Sequence, residues 1–352
     1  IGREFTRRLL ERIADIRGRT EDFLRELEAL ELIYEKALFP ELAYMFKHAL
    51  THDVAYSSLL VQRRKELHRA IALAIEELYA DRLAEQYEVL GYHFSKAEDW
   101  TRALQYLLKA ADKATKAFAS REAITLYDQA LAASRQLSDT VSTETLMAIH
   151  EARANLHFVL NDFEGCWAEW QRVLAFARQT GDRQKEAAAL AGMGWASVWG
   201  HQFDRAVTES REALALAETI DAQPVVAATH LTTGFVYFVT GRLSESRRDE
   251  ERALAISRSA ADHGSESSAL LLLGQLRRFE GEFPEAIRLE SDGLRLAREH
   301  NLVVPLILNL FGLGAALVGA GAYEEDLAGL HEGLAFREKI GDEILHQRML
   351  NT

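Results

Sequence analysis

Residues 192–215 read GMGWASVWGHQFDRAVTESREALA, and this stretch decides the fold because its pattern returns every 40 residues. The glycines that keep this interval are Gly194, Gly234, Gly274 and Gly314. Small residues keep it at Ala206, Ser246 and Ala286, and again at Ala213, Ala253, Gly293 and Gly333. Self-similarity at a fixed period of this length is the signature of a solenoid, in which one structural unit is stacked repeatedly.

Each unit is predicted to be a pair of antiparallel helices. A glycine inside a helix costs about 1 kcal/mol relative to alanine, so we expect Gly194 to allow close approach to Ala206 and Ala213 on the second helix. The turn within each pair is predicted at residues that tolerate a positive φ, namely Asn161, His201, Gly241, Gly281 and Gly321. The turn after each pair is predicted at Gly181, Asp221, Ala261, Asn301 and Gly341.

The same spacing marks a resemblance to a known repeat family. Tyr87, Leu90, Gly91, Phe94, Ala103, Leu107 and Ala110 resemble the tetratricopeptide (TPR) consensus. The usual TPR unit has about 34 residues, and the longer period resembles the TPR-like superhelix of the bacterial maltose-system transcription activator. The resemblance covers roughly residues 82–342. It implies an all-α fold, a right-handed TPR-like α-α superhelix of about 40-residue repeats, and we expect a small winged-helix domain before it.

The chain before the repeats has a different pattern. Two amphipathic segments within residues 1–32 are followed by two predicted strands, over 32–38 and 42–46. Helices followed by a hairpin predict a winged-helix domain over 1–60, and the alternative is an irregular helical cap. An amphipathic pattern predicts a continuous helix over 58–80. Because Ala103 and Ala123 are close in sequence, we expect one long helix to serve two neighbouring units.

These patterns divide the chain into five segments. They are a winged-helix-like domain at 1–60, a connecting helix at 61–81, irregular first TPR-like units at 82–137, five regular repeats at 143–342, and a tail at 343–352 that we interpret as a truncated repeat.

A second resemblance lies in residues 46–56, which read FKHALTHDVAY. Together with IGREF at 1–5 and ELIYE at 31–35, they look like the winged-helix region of bacterial STAND ATPases (signal-transduction ATPases with numerous domains) fused to class III adenylate or guanylate cyclases. The resemblance implies that ATP or ADP is bound by an ATPase domain that precedes this segment. The chain opens at Ile1 without a methionine, so we interpret it as part of a longer protein.

The STAND resemblance also implies a role for His48. It aligns with the histidine of the Met-His-Asp motif, whose ring contacts the β-phosphate of ADP in related proteins. An imidazole N–H can donate to a phosphate oxygen, and its charge changes near neutral pH. The alternative is a packing or capping histidine at a helix start.

Charge and composition narrow the possible partners. The net charge is −13, and the predicted second helix carries Glu21, Asp22, Glu26, Glu28 and Glu31 against Arg25 alone. Such a chain repels phosphates, so nucleic acid is not an expected partner. The sequence has no run of 18 apolar residues and no signal peptide, and we therefore expect a cytoplasmic protein without a membrane partner.

Motifs for bond-making chemistry are missing from the sequence. It contains no G-x-x-x-x-G-K-[ST] loop and no H-E-x-x-H pair, so we expect no enzyme, no metal and no cofactor in this chain. The single cysteine, Cys166, takes a small-residue position of the repeat and is assigned to packing. Acidic clusters such as residues 248–251 are interpreted as solvated helix faces.

The TPR resemblance implies that residues one, four and five places after the helix glycine line a concave groove. The candidate groove residues are Asn155, Phe158, Trp195, Val198, Trp199, Phe235, Phe238, Gln275, Arg278 and Phe279. Aromatic side chains with an arginine are typical of binding hot spots. The alternative is that these rings only fill space between the helices.

The expected function is a non-catalytic regulatory or sensor module. It would bind a protein, a peptide or a small inducer in the groove and act on the ATPase domain of the longer protein. The other hypotheses are a scaffold that mediates self-association without a small ligand, and an enzyme within the chain.

Overall fold

The computed structural model describes residues 2–13, 19–37 and 41–322, which form two compact units. The first unit contains the described residues up to Ala117 together with Arg121–Val141. The second contains Phe118–Ser120 and the described residues from Ser142 onward.

The first unit begins with a small antiparallel sheet around two helices. In chain order its elements are β1 (Glu4–Thr6), α1 (Arg7–Ile13), α2 (Thr20–Ala29), β2 (Ile33–Ala37) and β3 (Ala43–Phe46), and the strand order is β1-β3-β2. Its core consists of Phe5, Leu24, Ile33 and Tyr44. Strands β2 and β3 lie where the sequence places them. The assignment of the region as a winged helix remains a prediction.

The rest of the first unit is helical. It contains α3 (Ala49–Ser58), α4 (Val61–Leu78), a 3₁₀ segment (Ala80–Gln86), α5 (Tyr87–Lys96), α6 (Trp100–Lys116), α7 (Ser120–Gln136) and a 3₁₀ turn (Ser138–Thr140). The helix predicted over 58–80 is present as α4, and it begins at Val61 because Leu59 and Leu60 have extended ψ angles of 139° and 145°. The prediction of one long helix serving two neighbouring units is wrong, because Phe118 has a φ of 60°, which ends α6 and separates it from α7.

The second unit is a regular stack of helix pairs. Its helices are α8 (Thr143–Val159), α9 (Phe163–Thr180), α10 (Arg183–Trp199), α11 (Phe203–Thr219), α12 (Gln223–Val239), α13 (Leu243–Ser259), α14 (His263–Phe279), α15 (Phe283–Glu299) and α16 (Val303–Gly319). We call the even-numbered helices of this unit the first helices and the odd-numbered ones the second helices. The second helix of the fifth predicted repeat and the predicted tail lie outside the described residues.

Both predicted series of turns are confirmed by the backbone. The turns within pairs have positive φ angles of 59° at Asn161, 58° at His201, 78° at Gly241, 83° at Gly281 and 80° at Gly321. The turns between pairs have positive φ angles at Gly181, Asp221, Ala261 and Asn301, and Gly341 lies outside the described residues. Several helices start with an aspartate cap, as at Asp162, whose side chain accepts a hydrogen bond from the Gly165 amide.

The repeated glycines of α10, α12 and α14 permit close contact with the second helix of their own pair. A Cβ atom added to Gly194 would lie 2.8 Å from Ser210 Oγ and 3.4 Å from the Ala206 carbonyl oxygen. Ala206 and Ala213 are both fully buried. The expected reason for the repeated glycine is therefore confirmed, with Ser210 as its nearest neighbour.

The first helices lie on the inner side of the stack. Helices α10, α12, α14 and α16 contact one another in succession. In the described part of the chain, successive second helices contact one another less than successive first helices do. Because the closer-packed side of a stacked array is the inside of its curve, the first helices line the inner face of this unit.

Candidate functional site

A continuous row of aromatic rings crosses four first helices of the second unit. We define the aromatic row as Phe158 on α8, Trp195 and Trp199 on α10, Phe235 and Phe238 on α12, and Phe279 on α14. Neighbouring ring centroids lie between 5.7 Å, for Trp195 and Trp199, and 6.5 Å, for Phe235 and Phe238. These spacings fall within the range of favourable aromatic pairs.

Exposure differs along the aromatic row. Phe158, Trp195, Trp199, Phe235 and Phe238 are half-buried, and all of these except Trp195 pack partly on core clusters, whereas Phe279 is 69% exposed. The predicted groove residue Val198 is only 1% exposed and belongs to the core, because it packs against Ala206 and Val236. The row thus has a packing role for most of its length and an open end at Phe279.

Two predicted amides flank the aromatic row. Asn155 is exposed on α8 and Gln275 is half-buried on α14. Neither side chain makes a hydrogen bond with the described residues. Each therefore has a free carbonyl oxygen and a free NH₂ group that can bond a ligand.

Arg278 stands beside the open end of the row. Its Nε lies 3.9 Å from Glu290 Oε1, which is too long for a hydrogen bond. The buried Nε has no hydrogen-bond partner, and the guanidinium makes no other hydrogen bond with the described residues. An arginine with unused donors beside an exposed ring is suited to planar anionic or carbonyl groups.

Two fully buried glutamates lie under the inner face, and the sequence analysis missed both. Glu250 accepts a hydrogen bond from Ser246 Oγ at 2.9 Å, and neither carboxylate oxygen of Glu290 has a hydrogen-bond partner. Burial raises the pKa of Glu250 to about 8 and the pKa of Glu290 to about 7. The interpretation of residues 248–251 as a solvated face is therefore wrong at Glu250.

The position of these glutamates follows from the repeat. Each packs against the glycine of its own pair, Glu250 on Gly234 and Glu290 on Gly274, at the place where Ser210 packs on Gly194. A glycine leaves room for the stem of a long side chain. Each glutamate lies the same number of residues after a repeated glycine, and this sequence spacing is the signal that identifies the two glutamates.

Two buried glutamates in the earlier pairs, Glu169 and Glu209, lie one position before the equivalents of Glu250 and are fully partnered. Glu169 bonds His150 Nδ1 at 2.5 Å and Arg153 at 2.9 Å, and although burial opposes ionisation, these bonds lower its pKa to about 2. Glu209 accepts hydrogen bonds from Trp167 Nε1 at 2.6 Å and Ser197 Oγ at 2.7 Å. Unsatisfied carboxyls are therefore a feature of α13 and α15, next to the open end of the row.

His48 belongs to the first unit and is exposed at the start of α3. It takes the cap position, with φ −123° and ψ 134°, but its side chain makes no capping hydrogen bond. Its ring is not used to cap the helix.

The single cysteine and the candidate metal-ligand side chains were also located in the described residues. Cys166 is 2% exposed, and burial raises its pKa to about 12, which leaves the thiol protonated. Within the described ranges, no group of three or more His, Cys, Asp or Glu side chains is placed to hold a metal ion. No helix there is both long and apolar enough to cross a membrane.

Comparison with known proteins identifies the repeat and the fold. The family model described as Tetratricopeptide repeat matches residues 225–299, which comprise most of α12, all of α13 and α14, and α15. No curated protein sequence matches the chain. The predicted TPR-like superhelix is confirmed for the stacked helix pairs.

Solved structures with this fold are distant in sequence. Aspartyl phosphate phosphatase F from Bacillus subtilis superposes with a TM-score of 0.56 and 14% identity, over 92% of this chain and 83% of that one. NprR, solved in complex with its cognate peptide NprX, gives a TM-score of 0.54 and 12% identity, over 82% of each chain. At such identities these likenesses establish the fold alone.

A third structure relates to the STAND resemblance. The STAND protein PH0952 from Pyrococcus horikoshii, which has a tetratricopeptide-repeat sensor, aligns with 98% of this chain at 12% identity. The chain spans 62% of that protein, and the TM-score is 0.42, a value too low to carry an argument.

Proposed function

We propose that this chain is a non-catalytic regulatory module whose inner face binds an extended peptide segment of a protein or peptide partner. The observation that carries the proposal is the aromatic row, which runs without a gap across α8, α10, α12 and α14 to the exposed ring of Phe279. A small inducer on the same face is the variant of this proposal.

The chemistry of the face suits a peptide. Large aromatic side chains provide apolar contact area at a low cost in conformational entropy, and such residues dominate binding energy in interfaces. The free amides of Asn155 and Gln275 can each pair with a peptide backbone group, which carries one donor and one acceptor. Arg278 can take a carbonyl or carboxylate group of the peptide at the open end.

The fold comparison adds limited support. NprR, a protein with a similar fold, was solved with its cognate peptide bound. Shared fold does not imply shared function, so the proposal depends on the residues of this inner face.

Selection from a peptide library tests the proposal. A phage library of random dodecapeptides is selected against the chain, and enriched peptides are then measured for binding to Phe279→Ala. The matched control is Tyr34→Ala, which removes an exposed ring from strand β2. We expect enriched peptides whose binding is lost in Phe279→Ala and kept in Tyr34→Ala. No enrichment, or equal binding to both variants, contradicts a peptide-binding inner face, and the small-inducer variant then remains for separate testing.

We further propose that the longer protein is a STAND ATPase linked to a nucleotide cyclase. In this proposal residues 1–60 form its winged helix, 61–81 connect it to irregular units at 82–137, and 143–342 are the sensor repeats in the cytoplasm. ATP or ADP is held by the ATPase domain, and His48 contacts its phosphates. The unused ring of His48 supports this role.

A variant of the longer protein tests the role of His48. Its replacement by alanine is expected to raise basal signalling activity, because loss of a contact to bound ADP weakens the resting state. The control is His52→Ala, which removes a neighbouring histidine of α3. Unchanged basal activity in His48→Ala would remove the switch role.

Self-association is the second candidate function. The observation that favours it is a group of exposed apolar side chains in the first unit, Leu50, Val54, Leu60 and Val61, each more than 60% exposed. Sedimentation velocity over a range of concentrations distinguishes the two functions. Oligomers that disappear in Leu50→Asp favour the scaffold, and a monomer at all concentrations favours the regulatory module.

A further inference from the structure

The first unit contains a cavity of about 400 Å³ that the proposed function does not use. It lies between the sheet and the helical layer of α4, the 3₁₀ segment and α5. Its buried apolar lining residues include Phe5, Leu9, Ala43 and Ile75. The volume and the mixed wall are in the range of small-molecule sites.

One polar cluster in the wall is already saturated. Glu41 accepts a hydrogen bond from the Tyr79 hydroxyl at 3.0 Å and lies 3.5 Å from Arg8 and 3.4 Å from Arg82. Burial, and then the contact with Glu41, raises the pKa of Tyr79, which keeps it a phenol. This cluster holds the wall together, and because two guanidinium groups share its one carboxylate, it leaves no free carboxylate.

A second polar group in the wall has unused hydrogen-bonding capacity. His93 is 3% exposed, and its Nδ1 lies 2.8 Å from His68 Nδ1. Its Nε2 has no partner among the described residues, although the ring lines the cavity. Burial lowers the pKa of His93 to about 3, so the ring is neutral and Nε2 can bond a ligand in either direction.

The rim of the cavity carries one charge without a partner. Glu85 and Gln86 lie in the 3₁₀ segment and line the cavity, and neither side chain has a hydrogen-bond or ion-pair partner in the described residues. The other lining carboxylates, Glu4 and Glu41, are paired with Lys36 and with the two arginines. Among the described lining residues, Glu85 is therefore the carboxylate that is free to bind a cationic group.

We propose that this cavity binds a small organic amine with an apolar body. Its ammonium group lies at Glu85, its body rests on Phe5, Leu9 and Ile75, and a polar group at its far end bonds His93 Nε2.

The histidine that is hydrogen-bonded to His93 provides a second way to detect ligand binding. His68 Nε2 lies 3.0 Å from the Tyr56 hydroxyl, so Tyr56, His68 and His93 form one hydrogen-bonded chain. A ligand hydroxyl that donates to His93 Nε2 requires His93 to donate from Nδ1 and His68 to donate from Nε2. Binding therefore selects one tautomer of His68, which lies outside the cavity wall.

The probe for this site is tyramine, which combines an amine, a ring and a hydroxyl. Its matched analogues are 4-ethylphenol, which lacks the amine, and phenethylamine, which lacks the hydroxyl. Titration calorimetry is expected to show about millimolar binding for tyramine, as is typical of a ligand of about ten heavy atoms. The amine is expected to tighten binding about fivefold relative to 4-ethylphenol, as for a partly exposed ion pair.

Variants and spectroscopy decide the proposal. Glu85→Gln should remove the advantage of tyramine over 4-ethylphenol, whereas Asp81→Asn, the control on the same 3₁₀ segment, should keep it. Histidine ¹⁵N chemical shifts should show tyramine, but not phenethylamine, favouring the His68 tautomer protonated at Nε2. Absence of binding by all three probes, or an amine preference that persists in Glu85→Gln, overturns the proposal.

Discussion

The indole ring of Trp199 stacks on the phenyl ring of Phe235, with centroids 6.0 Å apart and planes inclined by 15°. The two residues lie on first helices of successive pairs, α10 and α12. This contact joins the two halves of the aromatic row. It also makes the aromatic row part of the packing between helix pairs. A substitution in the row can therefore change both ligand binding and the stability of the unit, and the two effects must be separated by choosing which residue to replace.

Trp199→Ala and Phe279→Ala are expected to have different effects on stability. Trp199 contacts Phe158, Trp195 and Phe235, so its loss should lower the free energy of unfolding by about 2–3 kcal/mol. Phe279 is largely exposed and contacts only the ring of Phe238 among the aromatic residues described, so its loss should cost less than about 0.5 kcal/mol. Urea unfolding followed by circular dichroism measures both.

One outcome would contradict the prediction for Phe279→Ala. A large loss of stability in Phe279→Ala would mean that its ring is a packing element, and its use as a binding probe would then be invalid.

Gly274→Ala is expected to destabilise the second unit. A Cβ at this position would clash with the stem of Glu290, which is fully buried and has little room to move. The expected loss is about 1–3 kcal/mol. The control is Gly264→Ala on the same helix, where the nearest atom to an added Cβ is Asp262 Oδ1 at 3.5 Å. This control should gain up to about 1 kcal/mol from helix propensity, and thermal melts of both variants test the opposite signs.

Glu250 and Glu290 should make the second unit less stable as the pH rises. Their ordinary pKa is 4.5, and burial raises it to about 8 and about 7, so between these limits the folded state binds more protons than the unfolded state. The free energy of unfolding therefore falls from pH 5 to pH 8. At about 1.4 kcal/mol for each pKa unit, we expect a combined loss of up to roughly 6 kcal/mol.

The double variant Glu250→Gln/Glu290→Gln should flatten this pH dependence. The control Glu251→Gln changes an exposed neighbour and should leave it unchanged. Urea unfolding at pH 5, 7 and 8.5 provides the measurement, and equal slopes in the double variant and the wild type would contradict the assignment.

His68 and His93 should give the first unit the opposite pH dependence. Burial lowers their pKa from 6.5 to about 4 and about 3, so below pH 6.5 the unfolded state binds more protons than the folded state. Stability is therefore lost as the pH falls from 6.5 toward 4. Hydrogen exchange, corrected for its intrinsic pH dependence, should show α4 and α5 losing protection while α13 and α15 gain it. Parallel changes in both sets of helices would contradict this prediction.

The repeat could be predicted from the sequence because it depends on backbone requirements that few residues meet. His201 and Asn161 mark turns with a positive φ as clearly as Gly241 does, and the structure has all of them in that conformation. The glycines of the first helices likewise indicate close contact. These signals are local and return at each unit, so one observation supports the next.

The site was less predictable because burial of a polar side chain depends on its neighbours. Glu250 stands within a charged run that is typical of a solvated face, yet Gly234 opposite it leaves space that the glutamate stem fills. Val198 and Phe238 take the same repeat position, but Val198 is short enough to enter the core. The break at Phe118 was also missed, because a left-handed phenylalanine is not a recognisable helix end in sequence.

The hydrophobic core of the second unit is divided into small clusters, each shared by two to four consecutive helices. Since contacts reach only neighbouring pairs, tension applied to the ends of this unit has no single core to rupture. The stack should therefore first extend elastically and then unfold one helix pair at a time. In an optical trap this appears as a staircase of small, evenly sized steps at low force.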